Sequence, residues 1–348
     1  MMEGKRIAVV IPAFRVAGQI GEVIGIIPTE VDAIFVVDDA SPDDLAERIK
    51  ATPDRRLTLL RHDENRGVGS ATVTGMAAAI QEGFDIVVKC DGDGQMNPQD
   101  IPYLVRPLLD EVADHVKGTR FHHFRELESM PKWRFLGNVG LTFLTKLSSG
   151  YWNVLDPVNG FLATRRETLQ RLPLSHLAKR YFFEIDLLIR LNIIEARVAE
   201  VPFPARYGDE PSSLSPWRTL VTFPVQLAAG LARRIFWRYV FHDVSPVAVF
   251  GITGFAFCLF GLLFGSYHWA KNSALGVVTP VGTVMLAVLP LILGFQLILQ
   301  AVGLDIQNTP KPGSKKKDAQ GGVSETTARP ESAGTLEGRP ANPHADGG

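Results

Sequence analysis

The chain has little cysteine: 348 residues carry two, Cys90 and Cys258. Two thiols make no disulfide framework, and neither has the spacing of a metal ligand. A reducing, cytoplasmic setting is therefore expected for the soluble part. Charge of one sign is also missing. Thirty-six Lys and Arg against 37 Asp and Glu leave a formal net charge of -1, and no basic stretch is interleaved with aromatics. That excludes the electrostatic footprint of a nucleic-acid binder. The turn after the first strand-like run lacks G-x-G-x-x-G, and no G-x-x-x-x-G-K-[ST] occurs. Neither a dinucleotide fingerprint nor a P-loop is available, so a bound nucleotide must be held another way.

Two stretches lack charge altogether. Residues 244–270 and 272–304 contain no Asp, Glu, Lys or Arg, and roughly 20 apolar residues suffice to cross a bilayer. Arg233, Arg234 and Arg238 precede the first stretch, Lys311, Lys315, Lys316 and Lys317 follow the second, and only Lys271 separates them. By the positive-inside rule this predicts a multi-pass membrane protein with both termini and the globular domain in the cytoplasm. Met1 to Arg6 is polar and runs straight into a strand-like segment, so no signal peptide is expected.

The expected organisation is a globular domain over residues 1–214 and amphipathic interface helices over 215–243. A transmembrane hairpin over 244–304 follows, with spans near 246–268 and 278–303, and then a disordered tail over 305–348. Between Pro216 and His242, Trp217, Leu220, Phe223, Leu227, Leu231 and Ile235 mix with arginines, the pattern of a helix in the headgroup plane or of one packed on the globular domain. Pro224 is expected to kink or divide it. Beyond Pro310, Gly, Pro, Ser, Lys and Glu dominate, a composition that buries too little to fold.

Within the globular domain, continuous apolar runs at 6–12, 33–37, 57–61, 85–90 and 113–119 read as buried strands, with helical patterns between them. Alternation at this spacing predicts an α/β domain with a doubly wound, mostly parallel sheet. The fourth run ends in Asp91-Gly92-Asp93-Gly94-Gln95. The carboxyl end of a strand is where such sheets bind ligands. Two carboxylates there suit Mg²⁺ or Mn²⁺, which binds one or two carboxylates and leaves a substrate's phosphates to complete the shell. Gly92 and Gly94 let a diphosphate approach the backbone. A polar turn with two solvated aspartates reads the same way locally. Asp38 and Asp39 end the second run, placed either to accept hydrogen bonds from a base or ribose or, for Asp39, to cap the helix beginning near Pro42. Arg120 closes the fifth run, where its planar fork could pair with phosphate. Glu184 and Asp186 lie about 200° apart on a helix, so only one faces a given site. Asp186 has Arg190 at i+4, which leaves Glu184 as the candidate.

Val-Val-Ile-Pro-Ala-Phe, Val-Val-Asp-Asp-Ala-Ser, Asn-Arg-Gly-Val-Gly and Asp-Gly-Asp-Gly-Gln stand in this order within about 90 residues. Together they resemble the family 2 glycosyltransferases of GT-A fold, and most the polyprenyl-phosphate (dolichyl-phosphate mannose synthase-like) branch with a C-terminal membrane hairpin. The resemblance implies transfer of a sugar from a nucleotide-diphosphate sugar to a polyprenyl phosphate, with inversion. It implies metal binding by Asp91, Asp93 and Gln95, and catalytic roles for Asp93, Glu184 and Arg120. Pro12, Ala13, Phe14, Asp38, Asp39, Ser41, Asp91 and Gly92 would line the nucleotide pocket. Arg134, Asn138, Lys179, Arg206 and Ser212 would hold the acceptor phosphate, Ser213 being an alternative to Ser212. The family's Tyr-Asn-Glu after the first strand is here Phe14-Arg15-Val16, and Asn159 replaces the serine of an Asp-x-x-Ser-Gly-Phe motif in which Asp156 also reads as structural. A homo-oligomer is compatible with the pattern. Two rival readings are transfer to the sugar of a lipid-linked saccharide, which needs a carboxylate base, and a catalytically silent membrane-bound scaffold for sugar nucleotides.

Overall fold

The apolar run at the N-terminus becomes a strand because every one of its seven side chains finds protein on both faces of a sheet. In the computed structural model, residues 1–120, 132–204, 216–241 and 244–313 are described. In chain order the elements are β1 (Ile7–Ala13), α1 (Ile20–Gly25), β2 (Ala33–Asp38), α2 (Leu45–Ala51), β3 (Leu57–Arg61), α3 (Val68–Gln81) and β4 (Ile86–Lys89). Then come α4 (Ile101–Leu109), β5 (His115–Thr119), α5 (Lys132–Ser149), β6 (Leu162–Arg165), α6 (Arg166–Gln170), α7 (Phe183–Ile193) and β7 (Val198–Pro202). The last three helices are α8 (Pro216–Phe236), α9 (Pro246–Ala274) and α10 (Val281–Gln307).

The seven strands form one sheet in the order β3-β2-β1-β4-β6-β5-β7. All neighbours run parallel except β6, which is antiparallel to both β4 and β5. The five expected strands are present, and the sheet is mostly parallel as expected. β6 and β7 extend it beyond the sequence reading; a four-residue strand such as β6 offers too short a run for periodicity to register. The reversal of β6 matters for the site. It brings the residues that lead into β6, Asp156 to Phe161, to the edge where β1, β2, β4 and β5 end.

Strand alternation divides the core into two layers. Ile7, Val9 and Ile11 with Ile34, Val36, Ile86 and Val88 face α1, α2 and α4. Ala8, Val10, Phe35 and Val87 face the side of α3 and α7. By the same period of two, Lys89 follows Val87 onto the α7 face, and in β5 His115 and Lys117 lie on the face opposite Val116. Each fully buried aliphatic side chain here is worth about 1.5–3 kcal/mol.

His115 is a consequence of that pattern. It is fully buried, and its Nδ1 meets Thr164 Oγ1 at 2.8 Å across the β5–β6 pair. Its Nε2 has no hydrogen-bond partner. Burial, and then the charge of Lys117, holds the imidazole well below its usual value near 6.5. The unfolded chain therefore binds a proton near pH 6.5 that the native chain refuses. Stability is expected to fall as pH drops below about 6.5, by at most about 1.4 kcal/mol per pH unit. Denaturant midpoints measured from pH 7.5 to 5 should show this slope, and His115→Gln should flatten it.

α8 packs on the globular domain, Phe223 meeting Phe182 edge-on at 5.6 Å. Pro224 does not divide the helix, which runs on past it and continues as a π-helical turn over Trp237–Phe241. Arg233 and Arg234, with Arg238 of the following turn, are engaged by the protein itself. Arg233 Nη1 lies 2.8 Å from Asp186, Arg238 bonds Asn192 and the Asn308 carbonyl, and Arg234 is wholly buried. Arg234 donates to both oxygens of Asp305 at 2.6 and 3.0 Å and to the carbonyls of Leu147 and Ser148. Tyr239 and Trp152 complete the shell of Asp305 at 2.7 and 3.0 Å. Gly150, at φ +73°, closes α5 as its position predicts, and a Cβ there would strike the Arg234 guanidinium.

α9 and α10 are long and apolar enough to cross a membrane. At 1.5 Å per residue each is about 40 Å long, more than a bilayer's apolar core of about 30 Å. Their axes approach closely where Gly254 meets Gly294: a Cβ on Gly294 would lie 2.6 Å from the Gly254 carbonyl. α10 reaches Gln307, so residues 305–307 belong to the helix and not to the tail. Gly313 N then bonds the Val112 carbonyl. Residues of the tail beyond 313 lie outside the described residues.

Candidate active site

The strand tips at the shared edge carry nearly all the acidic candidates. β1 and β2 pair in register up to Ala13 opposite Asp38, and Asp39 N bonds the Ala13 carbonyl. Ser41 Oγ accepts from Arg15 N at 2.7 Å, which folds the turn after β1 over the turn after β2. Phe14 stays 39 % exposed with the Arg15 guanidinium over its ring.

The two aspartates after β2 have different duties. Asp39 is buried and wholly engaged: His62 Nδ1 lies 2.7 Å from Oδ1, while the backbone N–H groups of Arg66 and Gly67 donate at 2.9 and 2.7 Å. It organises the 62–67 turn and caps no helix; α2 begins only at Leu45. Asp38 is also buried, and its Oδ1 accepts from Ser41 N at 2.8 Å. Its Oδ2 forms an ion pair with Arg61 Nε at 3.2 Å, yet has no hydrogen bond. Arg61 also lines a depression of about 380 Å³ with Ala40, His62 and Asp63. A buried carboxylate oxygen without a hydrogen bond keeps the capacity to accept one.

At the tip of β4, Gln95 N donates to Asp93 Oδ1 at 3.0 Å, and Gly94 sits at φ +77°. Asp91 is 26 % exposed and Asp93 half-buried. Among the described residues no group of three or more His, Cys, Asp or Glu side chains forms a cage for a metal. Two hard-oxygen carboxylates one glycine apart fit the other mode, in which a divalent cation takes the rest of its shell from a substrate. A Cβ on Gly92 would press on Ile11, Val16 and Ile20 at 3.2–3.3 Å, so the motif is seated directly on the core. Cys90 beside it is buried, and burial pushes its thiol far up, which makes it inert.

Lys89 is the residue that sequence reading passed over. Its side chain is 1 % exposed, and Nζ lies 2.7 Å from Asp91 Oδ1, 3.2 Å from Glu184 Oε1 and 3.3 Å from the Gly160 carbonyl. Burial works against the ammonium, but Asp91 and Glu184 outweigh it and hold Lys89 above the ordinary lysine value. The available signal was a lysine inside an otherwise apolar central strand. Gly160 is pressed against this group: a Cβ there would lie 2.5 Å from Asp91 Oδ2 and 2.6 Å from Lys89 Nζ. Its neighbour Lys117, also buried, donates to the Asn159 carbonyl at 2.7 Å. Burial pushes Lys117 down to about 8 against the pull of Glu184 and Asp156. Two buried lysines thus fasten consecutive carbonyls of one loop.

Asp156 is fully buried and takes Arg120 as a fork, Nε at 2.9 Å and Nη2 at 3.3 Å. Glu200 accepts from the backbone of Leu155 and Asp156 at 2.9 Å and fixes the loop from β7. Asp156 therefore ties this loop to the end of β5 and holds Arg120 at the edge. On α7, Glu184 faces Lys89, whereas Asp186 is occupied by Arg190, Arg233 and Ala178 N. Lys179 is exposed, and its carbonyl accepts from Ser70 N. Arg134 and Asn138 fall on α5, but their side chains lie outside the described residues, as do Arg206, Ser212 and Ser213 altogether.

Known proteins match this chain in the same region. The family model for glycosyl transferase family 2 matches residues 8–172. The UDP-N-acetylglucosamine–dolichyl-phosphate N-acetylglucosaminyltransferase of Methanococcus voltae is 31% identical over 223 residues, covering 60% of this chain and 88% of that protein. The undecaprenyl-phosphate mannosyltransferase of Micrococcus luteus is 28% identical, over 49% of this chain and 70% of its own. Among solved structures, glucosyl-3-phosphoglycerate synthase from Mycobacterium tuberculosis, bound to Mn²⁺, uridine diphosphate and glucosyl-3-phosphoglycerate, superposes with a TM-score of 0.51. It is 29% identical, over 66% of this chain and 80% of that one. With motifs, sheet and relatives in agreement, this chain is a glycosyltransferase and belongs to glycosyl transferase family 2.

Proposed function

We propose that the protein moves a sugar from a nucleoside-diphosphate sugar to the phosphate of a polyprenyl lipid, of undecaprenyl or dolichyl type, with Mg²⁺ or Mn²⁺ as cofactor. The reaction would run with inversion at the cytoplasmic face of the membrane. One observation carries this reading. The carboxylate tip of β4 belongs to the same body into which the end of an apolar helical hairpin is fastened, through Arg234 and Asp305. Relatives named for undecaprenyl- and dolichyl-phosphate transfer support it.

Each residue then has a task. Asp38 Oδ2 accepts an N–H of the base, while Pro12, Ala13, Phe14 and Ser41 line the nucleotide and Asp39 holds the 62–67 turn that walls it. Gly92 leaves room for the diphosphate. Asp91, Asp93 and Gln95 would hold the cation, which when bound supplies Lewis-acid stabilisation of the departing diphosphate. Arg120, oriented by Asp156, faces developing negative charge with a fixed guanidinium. Arg134, Asn138, Lys179, Arg206 and Ser212 would receive the acceptor phosphate. An oxygen of that phosphate forms the new bond to the anomeric carbon as the bond to the diphosphate breaks on the opposite side. The acceptor is already anionic near pH 7, so no base is needed. Glu184, committed to Lys89 at 3.2 Å, is suited to orient and not to take a proton.

Membranes containing the full chain should be incubated with polyprenyl phosphate and a panel of radiolabelled sugar nucleotides. Acid-labile label on a single-sugar lipid is the expected result. Label on a longer saccharide would overturn the phosphate acceptor and make Glu184 a general base.

A further inference from the structure

Lys89 does more than fill a place in the sheet. Its ammonium has three N–H donors, and three acceptors surround it: the carboxylates of Asp91 and Glu184 and the Gly160 carbonyl. These come from the turn after β4, from α7 and from the loop before β6. The stem reaches this point because the strand period turns Lys89 toward α7. Burial of the whole side chain keeps water from screening its charge.

We propose, resting on the function set out above, that Lys89 is a positioning residue that makes divalent-cation binding at Asp91 and Asp93 conditional on a nucleoside diphosphate. Without ligand, the ammonium already neutralises Asp91 and occupies its Oδ1 at 2.7 Å. A divalent cation taking the same carboxylate must share it with a buried positive charge, and little solvent separates the two. A diphosphate reverses the balance, since its negative charge faces both cations. Lys89 thus acts as a resident counter-ion. It keeps Asp91 and Glu184 from repelling each other in the empty site, and it weakens capture of a cation that arrives without its substrate. The inert backbone of Gly160, with no side chain to intervene, keeps the ammonium and Asp91 in contact.

The test is Mn²⁺ binding, read from the electron paramagnetic resonance signal of free Mn²⁺ with the full chain in detergent micelles. Titrations are made with no nucleotide, with UDP and with GDP. The wild type should bind Mn²⁺ weakly alone and at least about tenfold more tightly with the nucleotide it uses. Lys89→Met should bind Mn²⁺ alone about tenfold more tightly than the wild type, with a smaller nucleotide enhancement, because a repelling charge is gone. Lys89→Arg keeps the charge and should restore the wild-type dependence. A gain in affinity is not something a damaged fold produces. Should Lys89→Met fail to fold, Lys89→Met with Glu184→Gln is compared with Glu184→Gln alone, and the same tightening is expected. Folded variants whose Mn²⁺ affinity is unchanged or weaker overturn the role of Lys89 and leave the proposed function standing. A wild type that binds no Mn²⁺ even with UDP or GDP overturns both.

Discussion

Asp93→Ala is expected to lower sugar transfer about a hundred- to a thousandfold, the range seen when one preorganised electrostatic contact to a developing charge is removed. The loss should appear in kcat and in kcat/KM alike, since in the proposed mechanism the cation would stabilise charge that develops as the diphosphate leaves. The melting temperature should hardly move, because Asp93 is half-buried at a strand tip and supports a local turn through Gln95 N. Asp91→Ala gives a contrasting result. It removes transfer to a similar degree and also deprives Lys89, buried at 1 % exposure, of its nearest partner. That variant should be destabilised as well, since one member of a buried charge pair left alone is costly. Radiolabel turnover and thermal unfolding of the two variants side by side separate these effects. Turnover at the wild-type level in folded Asp93→Ala would remove the cation from the mechanism.

Asp305→Ala is expected to be the most destabilising single substitution outside the candidate active site. Asp305 receives two hydrogen bonds from Arg234 and one each from Tyr239 and Trp152. Its removal leaves a wholly buried guanidinium without a counter-charge, which costs about 3–5 kcal/mol. Arg234→Met combined with Asp305→Leu should recover much of that loss, because an apolar pair of similar volume avoids the desolvation of two charges. Denaturation of the full chain in detergent, followed by tryptophan fluorescence, reads both; Trp152 is itself a reporter of the cluster. Equal stability of Asp305→Ala and wild type would show that the pair does not fasten the hairpin.

Much of this arrangement was legible in the residue order. Fully apolar runs such as Ile7 to Ala13 announce strands covered on both faces, and the carboxylate pairs that follow two such runs lie at the strand tips as their order implies. The i+4 spacing of Asp186 and Arg190 identified the pair that the structure contains, although Asp186 is buried and shared with Arg233 and not a surface partner. What escaped detection depends on contacts distant in sequence. Lys89 is 95 residues from Glu184, so no local pattern reveals why a lysine interrupts Val87, Val88 and Cys90. The arginines 233, 234 and 238 look like headgroup anchors when read beside the apolar stretch that follows. Their partners, Asp186, Asp305 and Asn192, are set by how α8 crosses α5, α7 and α10. Asp39 reads equally as cap or ligand, and only the turn carrying Arg66 and Gly67 decides which hydrogen bonds it makes. The reversed direction of β6, which delivers Asn159 and Gly160 to the edge that carries Asp91, has no signature in a run of four residues.

The absence of a side chain at position 160 also carries an evolutionary corollary. Positions 89, 91 and 160 form a steric unit, and none is free to drift alone. An alanine at 160 would displace the ends of both Lys89 and Asp91, and a lineage without the lysine would still meet the carboxylate of Asp91. Covariation among 89, 91 and 160 across divergent chains is the historical trace this packing should leave.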